Sequence, residues 1–274
     1  MRALYKKCGN GYNRAMDINK LHMPTLRVLA VFEAIYHSET GLTLAEISRS
    51  TGIAKGTLHP IVTTLLQKEY LESSGSAIVI GRNAFKLGYS YVHSLSYLYI
   101  IKPHMREIVV ACDEICQLGI LDGGDVLYVE KTEPKQAIRI ASSAGKTIGA
   151  YATALGKCLL SGLSDSSVQS MYPEELPPYT ERTTRNRDDL LAQLRTVRAQ
   201  GYAHEIGETN MDVECLAVPI RIGEKVLASM SVSLPIFRST PEKTAHILGV
   251  LRVHAKEIER AVGLLPKDIK MFSD

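Results

Sequence analysis

A thiol at Cys215, hydroxyls at Ser231 and Ser233, a carboxylate at Glu205 and an imidazole at His204 are the groups in this 274-residue chain whose types suit covalent chemistry. A nucleophile needs an adjacent base that a third group orients. Ser231 and Ser233 alternate with Met230 and Val232 in VLASMSVSLP, so a strand would carry both hydroxyls on one face. Neither serine has the setting of a nucleophile elbow. Cys215 stands near the start of VECLAVPIRI, and Gly223-Glu224 between the two runs is a turn signal. The strands then pair antiparallel and the three groups meet. Three readings stay open for them: a small-molecule acyl-processing enzyme using Cys215 or Ser231/Ser233, a pocket for a small polar ligand, or strand polarity facing water.

The stretch Gly149 to Gly156 belongs with the pocket reading. Gly149, Ala152, Thr153, Ala154 and Gly156 are small, so backbone N–H groups can approach a ligand closely. A helix beginning near Thr153 would turn its positive end toward an anion. Two hydroxyls, a thiol and free amides match a carboxylate with a neighbouring oxo or hydroxy group. Glu205 fits poorly with an anion unless it accepts from a ligand hydroxyl, is protonated, or points away. A hydroxylated acid therefore suits the set better than a dicarboxylate. Cys112 and Cys116 have i, i+4 spacing, which could hold a metal. Both fall on the apolar stripe of the expected helix HMREIVVACDEICQ, which favours buried core cysteines. No metal or cofactor is expected.

The elements that must position these groups come from a globular chain, with 45% hydrophobic and 22% charged residues. No apolar run is long enough to span a membrane, and no apolar signal core follows the first residues, so a cytoplasmic protein is expected. The five cysteines are odd in number and widely spaced, unlike a disulfide framework. The formal net charge of +3 lies wholly within the first 80 residues, a hint of a polyanionic partner there.

Periodicity divides the chain. PTLRVLAVFEAIYH reads as a helix with Leu26, Val28, Leu29, Phe32 and Ile35 inward. TLAEISRST reads as a second, with Thr43 and Glu46 at capping-box spacing and Leu44, Ala45 and Ile47 buried. Gly52 ends it, and IAKGTLHPIVTTLL follows with Leu58, Ile61, Val62 and Leu65 on one face. Helix, helix, glycine turn, helix is the helix-turn-helix order, and two short strands joined by Ser73-Ser74-Gly75-Ser76 form a wing. Pro60 interrupts the third helix. If that helix starts near Lys55, Pro60 lies just past the first turn and removes at most one ladder bond. Lys55, Gly56, Thr57, His59 and Thr63 then face outward, as candidates for base edges and phosphates, with Arg27 and Arg49 able to reach the backbone. An ordinary solvated helix face is the alternative. Beyond the wing, Asn83 to Lys102 reads as a Tyr-rich helix closed by Pro103. Strands, short helices and a long final helix over Thr240–Val262 come after it.

With these segments in order, the chain resembles the IclR family of bacterial transcriptional regulators. LRVLAVFEAI and GLTLAEISRSTGIAKGTLHPIVTTLLQKEYL carry the N-terminal match, and ILDGGDVLYVEK, ATALGKCLL, QGYAHEIGE and ECLAVPIRIGEKVLASMSVSLP the C-terminal one. The chain departs from the family at Gly56 and Pro60, where serine and arginine are usual, at Tyr151, where histidine is common, and in a wing without basic residues. The G-T-L-x-P stretch is also similar to PadR-type winged helices. The resemblance implies a regulator of the repressor kind, with an α/β two-domain fold. It is an N-terminal winged helix-turn-helix followed by a C-terminal GAF/PAS-like α/β effector-binding domain. It also implies a small organic acid effector, with the region of Glu205, Cys215, Ser231 and Ser233 lining its site. The expected divisions are a mobile basic arm over 1–22, the DNA-binding domain over 23–88, a linker helix over 89–103, the effector-binding domain over 104–266 and a tail over 267–274. The partners expected are double-stranded operator DNA and the effector, with no membrane. The Tyr-rich linker helix and the apolar face of residues 104–117 also suggest pairing as a homodimer or tetramer. A DNA-binding protein whose C-terminal domain only oligomerises is a further alternative.

Overall fold

The computed structural model describes residues 21–95, 97–135 and 144–264. The basic arm up to residue 20, Cys8, the strand expected over QAIRIASS and the tail fall outside them. The chain divides into two units, residues 1–94 and 95–274.

The first unit is built on three helices, α1 (Met23–Tyr36), α2 (Leu44–Thr51) and α3 (Lys55–Gln67). The Thr43 side chain accepts from the Glu46 N–H while Glu46 accepts from the Thr43 N–H, the reciprocal box its spacing predicts. Gly52 closes α2 with φ +68°, a left-handed conformation that glycine adopts without steric cost. Ile47, Leu58, Val62, Val31, Ile35 and Leu71 fill the core between them. Two expected core positions are exposed. Leu29 points outward at 47% exposure and Ala45 lies on the open side of α2, their places taken by Ala30 and Val31 and by Thr51. The stripe on α1 is rotated by about one residue because α1 meets both α2 and the wing. The wing is β1 (Leu71–Ser74) paired antiparallel with β2 (Ala77–Ile80) around Gly75, and Leu42 bridges to Ile78. A Cβ at Gly41 would meet the Ile78 carbonyl oxygen at 2.7 Å, so only glycine lets the α1–α2 turn reach the wing.

The single helix expected over Asn83–Lys102 is two. α4 (Arg82–Ser94) belongs to the first unit, and α5 (Leu98–Cys112) opens the second with Pro103 inside it. Pro103 is the sixth residue of α5, as Pro60 is of α3. At that depth proline forfeits one ladder bond and does not end the helix. α5 stops at Cys112, and Asp113 takes a left-handed φ of +53°. Cys116 therefore sits on a strand, not one helical turn from Cys112.

The second unit is a six-stranded antiparallel sheet of order β5-β4-β3-β8-β7-β6. Its strands are β3 (Ile115–Asp122), β4 (Asp125–Thr132), β5 (Thr147–Gly149), β6 (Ala203–Ile206), β7 (Val213–Ile222) and β8 (Lys225–Pro235). α6 (Ala154–Leu160), α7 (Asp165–Met171) and α8 (Arg187–Gln200) lie between β5 and β6, and α9 (Pro241–Gly263) ends the described chain. Met105, Ile108, Val109 and Cys112 are buried within this unit. The apolar face of residues 104–112 is thus covered by its own domain and does not call for a partner chain. Among the described residues no helix is long and apolar enough to cross a membrane.

Candidate functional site

The β7–β8 hairpin assembles the polar set as its turn predicts. Cys215 pairs with Ser233 and Ala217 with Ser231 across the two strands. β3 completes the row, with Gln117 opposite Ser231. Side chains alternate across a strand, so Gln117, Cys215, Ser231 and Ser233 share one face while Met230, Val232 and Leu234 take the other. They form a linked series. Cys215 Sγ lies 3.0 Å from Ser233 Oγ, and Gln117 Oε1 accepts from Ser233 at 3.1 Å and from Ser231 at 3.4 Å. A bulge between Leu118 and Gly119 sets Tyr128 of β4 opposite Gly119, and so on this same face.

Above the row is a cavity of about 220 Å³. Thr153, Ala154, Glu205, Cys215, Ser231 and Ser233 line it together with Gln117, Tyr128, Lys146, Thr147 and Asn210. Gly149, Ala152 and Gly156 do not line it. A Cβ on Gly156 would lie 2.1 Å from the Ala150 carbonyl oxygen, so this glycine lets α6 pack on the backbone before it. The Gly156 N–H is already bound by the Thr153 side chain at 2.8 Å, and the Gly149 N–H donates to Tyr179 at 2.9 Å. Two of the amides expected to meet an anion there, those of Gly149 and Gly156, are thus engaged, while Thr153 and Ala154 remain on the lining. Tyr151 is a core residue whose hydroxyl donates to the Pro177 carbonyl at 2.5 Å.

Glu205 is 3% exposed, and burial pushes its carboxyl up to about 7. It accepts from the Glu208 N–H at 2.9 Å, which moderates that rise. This bond, with a buried Lys157–Glu208 ion pair and a 2.6 Å bond from Thr183 to the Glu208 carbonyl, holds the loop that carries Asn210 over the cavity. Burial, reinforced by Glu205, also keeps the Cys215 thiol well above its ordinary value, so it is not a ready thiolate. Among the described residues no histidine lines the cavity. His204, next to Glu205 on β6, turns to the other face and bonds Glu214 at 2.7 Å. Cys112 and Cys116 are both buried, and burial pushes the Cys112 thiol up to about 11.

Gln117, Tyr128, Lys146 and Asn210 are additions that sequence reading did not supply. The apolar period puts Gln117 at the end of a helix, and only its strand register places it beside the serines.

On α3, Lys55, Gly56 and His59 are exposed and Thr57 and Thr63 half-buried, while Leu58 and Val62 are sealed inside. α3 starts at Lys55, and the N–H groups of Thr57 and Leu58 both donate to the Ala54 carbonyl. Arg49 is exposed at the end of α2, and Arg27 is half-buried on α1.

A helix-turn-helix with a wing, followed by an α/β unit that carries a cavity, defines a two-domain class of DNA-binding regulator. Residues 25–75 match the IclR helix-turn-helix domain and residues 89–260 the C-terminal domain of bacterial IclR transcriptional regulators, so the chain belongs to the IclR family. It is 28% identical over 241 residues to the HTH-type transcriptional regulator XynR of Escherichia coli, covering 86% of this chain and 96% of that one. It is 29% identical over 217 residues to the Pca regulon regulatory protein of Pseudomonas putida, covering 78% and 75%. Among solved structures, a transcriptional regulator from Rhodococcus sp. RHA1 superposes with a TM-score of 0.75 at 28% identity, over 88% of this chain and 98% of that one. An IclR homologue from Microbacterium hydrocarbonoxydans, complexed with 4-hydroxybenzoate, gives 0.74 at 21% identity, over 87% and 99%. The chain is a DNA-binding transcriptional regulator of this family.

Proposed function

We propose that the cavity takes a small hydroxylated organic acid and that its occupancy sets the operator affinity of α3. The observation that carries this reading is the linked row Gln117–Ser231–Ser233–Cys215 facing a cavity with Lys146 on its lining. Ser231 and Ser233 donate to Gln117 Oε1; turned toward a ligand, the same two hydroxyls supply donors for a carboxylate, and Lys146 on the lining supplies the opposite charge. Glu205, with its carboxyl near 7, is partly protonated at neutral pH and serves a ligand hydroxyl as donor or acceptor without the full repulsion of a fixed anion. The 4-hydroxybenzoate of the Microbacterium homologue is a ligand of this chemical class. The effector acts on DNA binding to the extent that it binds two arrangements of the protein with different affinity.

A screen of small acids for thermal stabilisation finds the ligand, and calorimetry on Ser231→Ala/Ser233→Ala tests the site. Each lost hydrogen bond to a charged group should cost about 1.5–3 kcal/mol, at least about tenfold in affinity. Wild-type affinity in that variant would place the ligand elsewhere.

Operator reading is assigned to Lys55, Gly56, Thr57, His59 and Thr63 in the major groove, with Arg27 and Arg49 on the backbone. Pairing is assigned to the first unit and α4. That helix has no buried residue in its own unit and exposes Phe85 at 70%, Leu87 at 61% and Tyr89 at 55%. A homodimer through this face, and a tetramer as a dimer of dimers, buries it. Sedimentation at micromolar concentration should exceed the 30.2 kDa of one chain, and a monomer alone would overturn the pairing.

A further inference from the structure

Away from the cavity, two helices of the second unit carry the same four-residue pattern. α5 reads His104-Met105-Arg106-Glu107 and α9 reads His254-Ala255-Lys256-Glu257. Residues three apart share a helix face, so each pattern presents an imidazole and a carboxylate together. The two faces meet. His104 Nδ1 lies 2.9 Å from His254 Nδ1. Glu257 Oε2 lies 3.6 Å from the first nitrogen and 3.8 Å from the second, and Glu107 Oε2 is 3.8 Å from His254 Nδ1. One ligand atom each from His104, Glu107 and His254 fall within 4.8 Å of one another.

We propose that His104, His254, Glu257 and Glu107 form a binding site for a divalent transition-metal ion of the zinc type, which clamps α5 to α9. Two neutral imidazoles meeting through Nδ1 must share a single proton. A cation between them engages both lone pairs instead. At a metal–nitrogen distance of about 2.1 Å, nitrogens 2.9 Å apart subtend roughly 90°, and separating them by about half an ångström gives a tetrahedral angle. The imidazoles are held, with side chains 20% and 14% exposed, whereas Glu107 and Glu257 are 66% and 50% exposed and can swing inward from solvent. Two imidazoles and two carboxylates suit zinc or a neighbouring borderline ion, not calcium or magnesium, which take all-oxygen shells. The site involves none of the residues that line the cavity.

The test uses the full chain, stripped with a chelator and titrated separately with Zn²⁺ and Co²⁺. One ion per chain should bind at this site and raise the Tm. The cobalt complex should show d–d absorption from nitrogen and oxygen ligands, without the thiolate charge transfer that any cysteine site would give. His104→Gln and His254→Gln should each weaken zinc binding by more than the roughly 10–100-fold cost of losing an outer-shell partner. Glu107→Gln/Glu257→Gln keeps the packed histidines, so it reads the site even if a histidine variant fails to fold, and it should also weaken binding. Unchanged zinc affinity in the glutamate variant, a thiolate-type cobalt spectrum, or no Tm response in the wild type would each overturn the proposal.

Discussion

On α3 the polar groups stand outside a helix whose inner side is closed by Leu58 and Val62, so the fold does not depend on them. On β3, β7 and β8 the polar groups stand inside the unit, where Gln117, Ser231 and Ser233 are at most 4% exposed and their mutual bonds are part of the structure. The two regions also treat glycine oppositely. Gly56, second residue of α3, would meet nothing within 4 Å if it gained a Cβ, whereas Gly156, third residue of α6, would strike backbone. A surface that reads DNA is free to change its side chains. Packed backbone such as that around Gly156 is not.

The largest effect should come from breaking that packing. Gly156→Val puts a branched side chain where the Ala150 oxygen, Cα and carbonyl carbon all lie within 2.5 Å of a Cβ. Backbone has little room to yield, so the loss should reach at least about 3 kcal/mol, the upper end for overpacked cores. Denaturant unfolding of the second unit measures it. A loss under about 1 kcal/mol would mean that α6 moves freely on its preceding turn.

The next effect depends on pH. Folding raises the Glu205 carboxyl from 4.5 to about 7, so between these values the folded chain keeps a proton that the unfolded chain has released. Stability from this group therefore falls as pH rises from about 4.5 to 7, then levels off, by no more than about 3 kcal/mol. Glu205→Gln keeps an oxygen for the Glu208 N–H and removes the charge. Its stability relative to wild type should climb across that window and stay constant above it. A difference that is flat with pH would show that Glu205 is ionised throughout and rejects an anionic ligand.

Periodicity made the first unit legible because the face proposed to read DNA lies opposite a helical stripe, and both are local. Thr43 with Glu46, Gly52 and the Gly75 turn located the elements to within a residue or two. In the second unit the hairpin brought Cys215, Ser231 and Ser233 together, since a short turn fixes register. Gln117 and Tyr128 come from strands far away in sequence, and their facing depends on a bulge that no local pattern announces. Gly149, Ala152 and Gly156 misled for a related reason. Small residues admit a ligand and a neighbouring backbone equally well, and only the packing distinguishes the two. The His104 and His254 patterns lie 150 residues apart, so neither helix alone suggests a cluster.

The smallest effects belong to the outer face, and they separate reading from folding. Thr57→Ala/His59→Ala should leave unfolding of the free chain within about 0.5 kcal/mol of wild type. Operator affinity should fall by about 1–3 kcal/mol for each base-edge interaction removed. Lys55→Ala should weaken all DNA alike and lower the salt dependence by about one neutralised phosphate. Gly56→Ala is the finest probe, because its two consequences have opposite signs. Its Cβ meets nothing in the free protein, and alanine favours a helix over glycine by about 0.5–1 kcal/mol, so the free chain should gain stability. Near the N-terminus of a groove-bound helix, the same methyl stands between backbone and phosphate, so operator affinity should drop. Thermal unfolding and fluorescence anisotropy on one preparation read both. A gain in stability with unchanged operator affinity would move the DNA away from the start of α3 and leave Thr63 and the later turns to meet the groove.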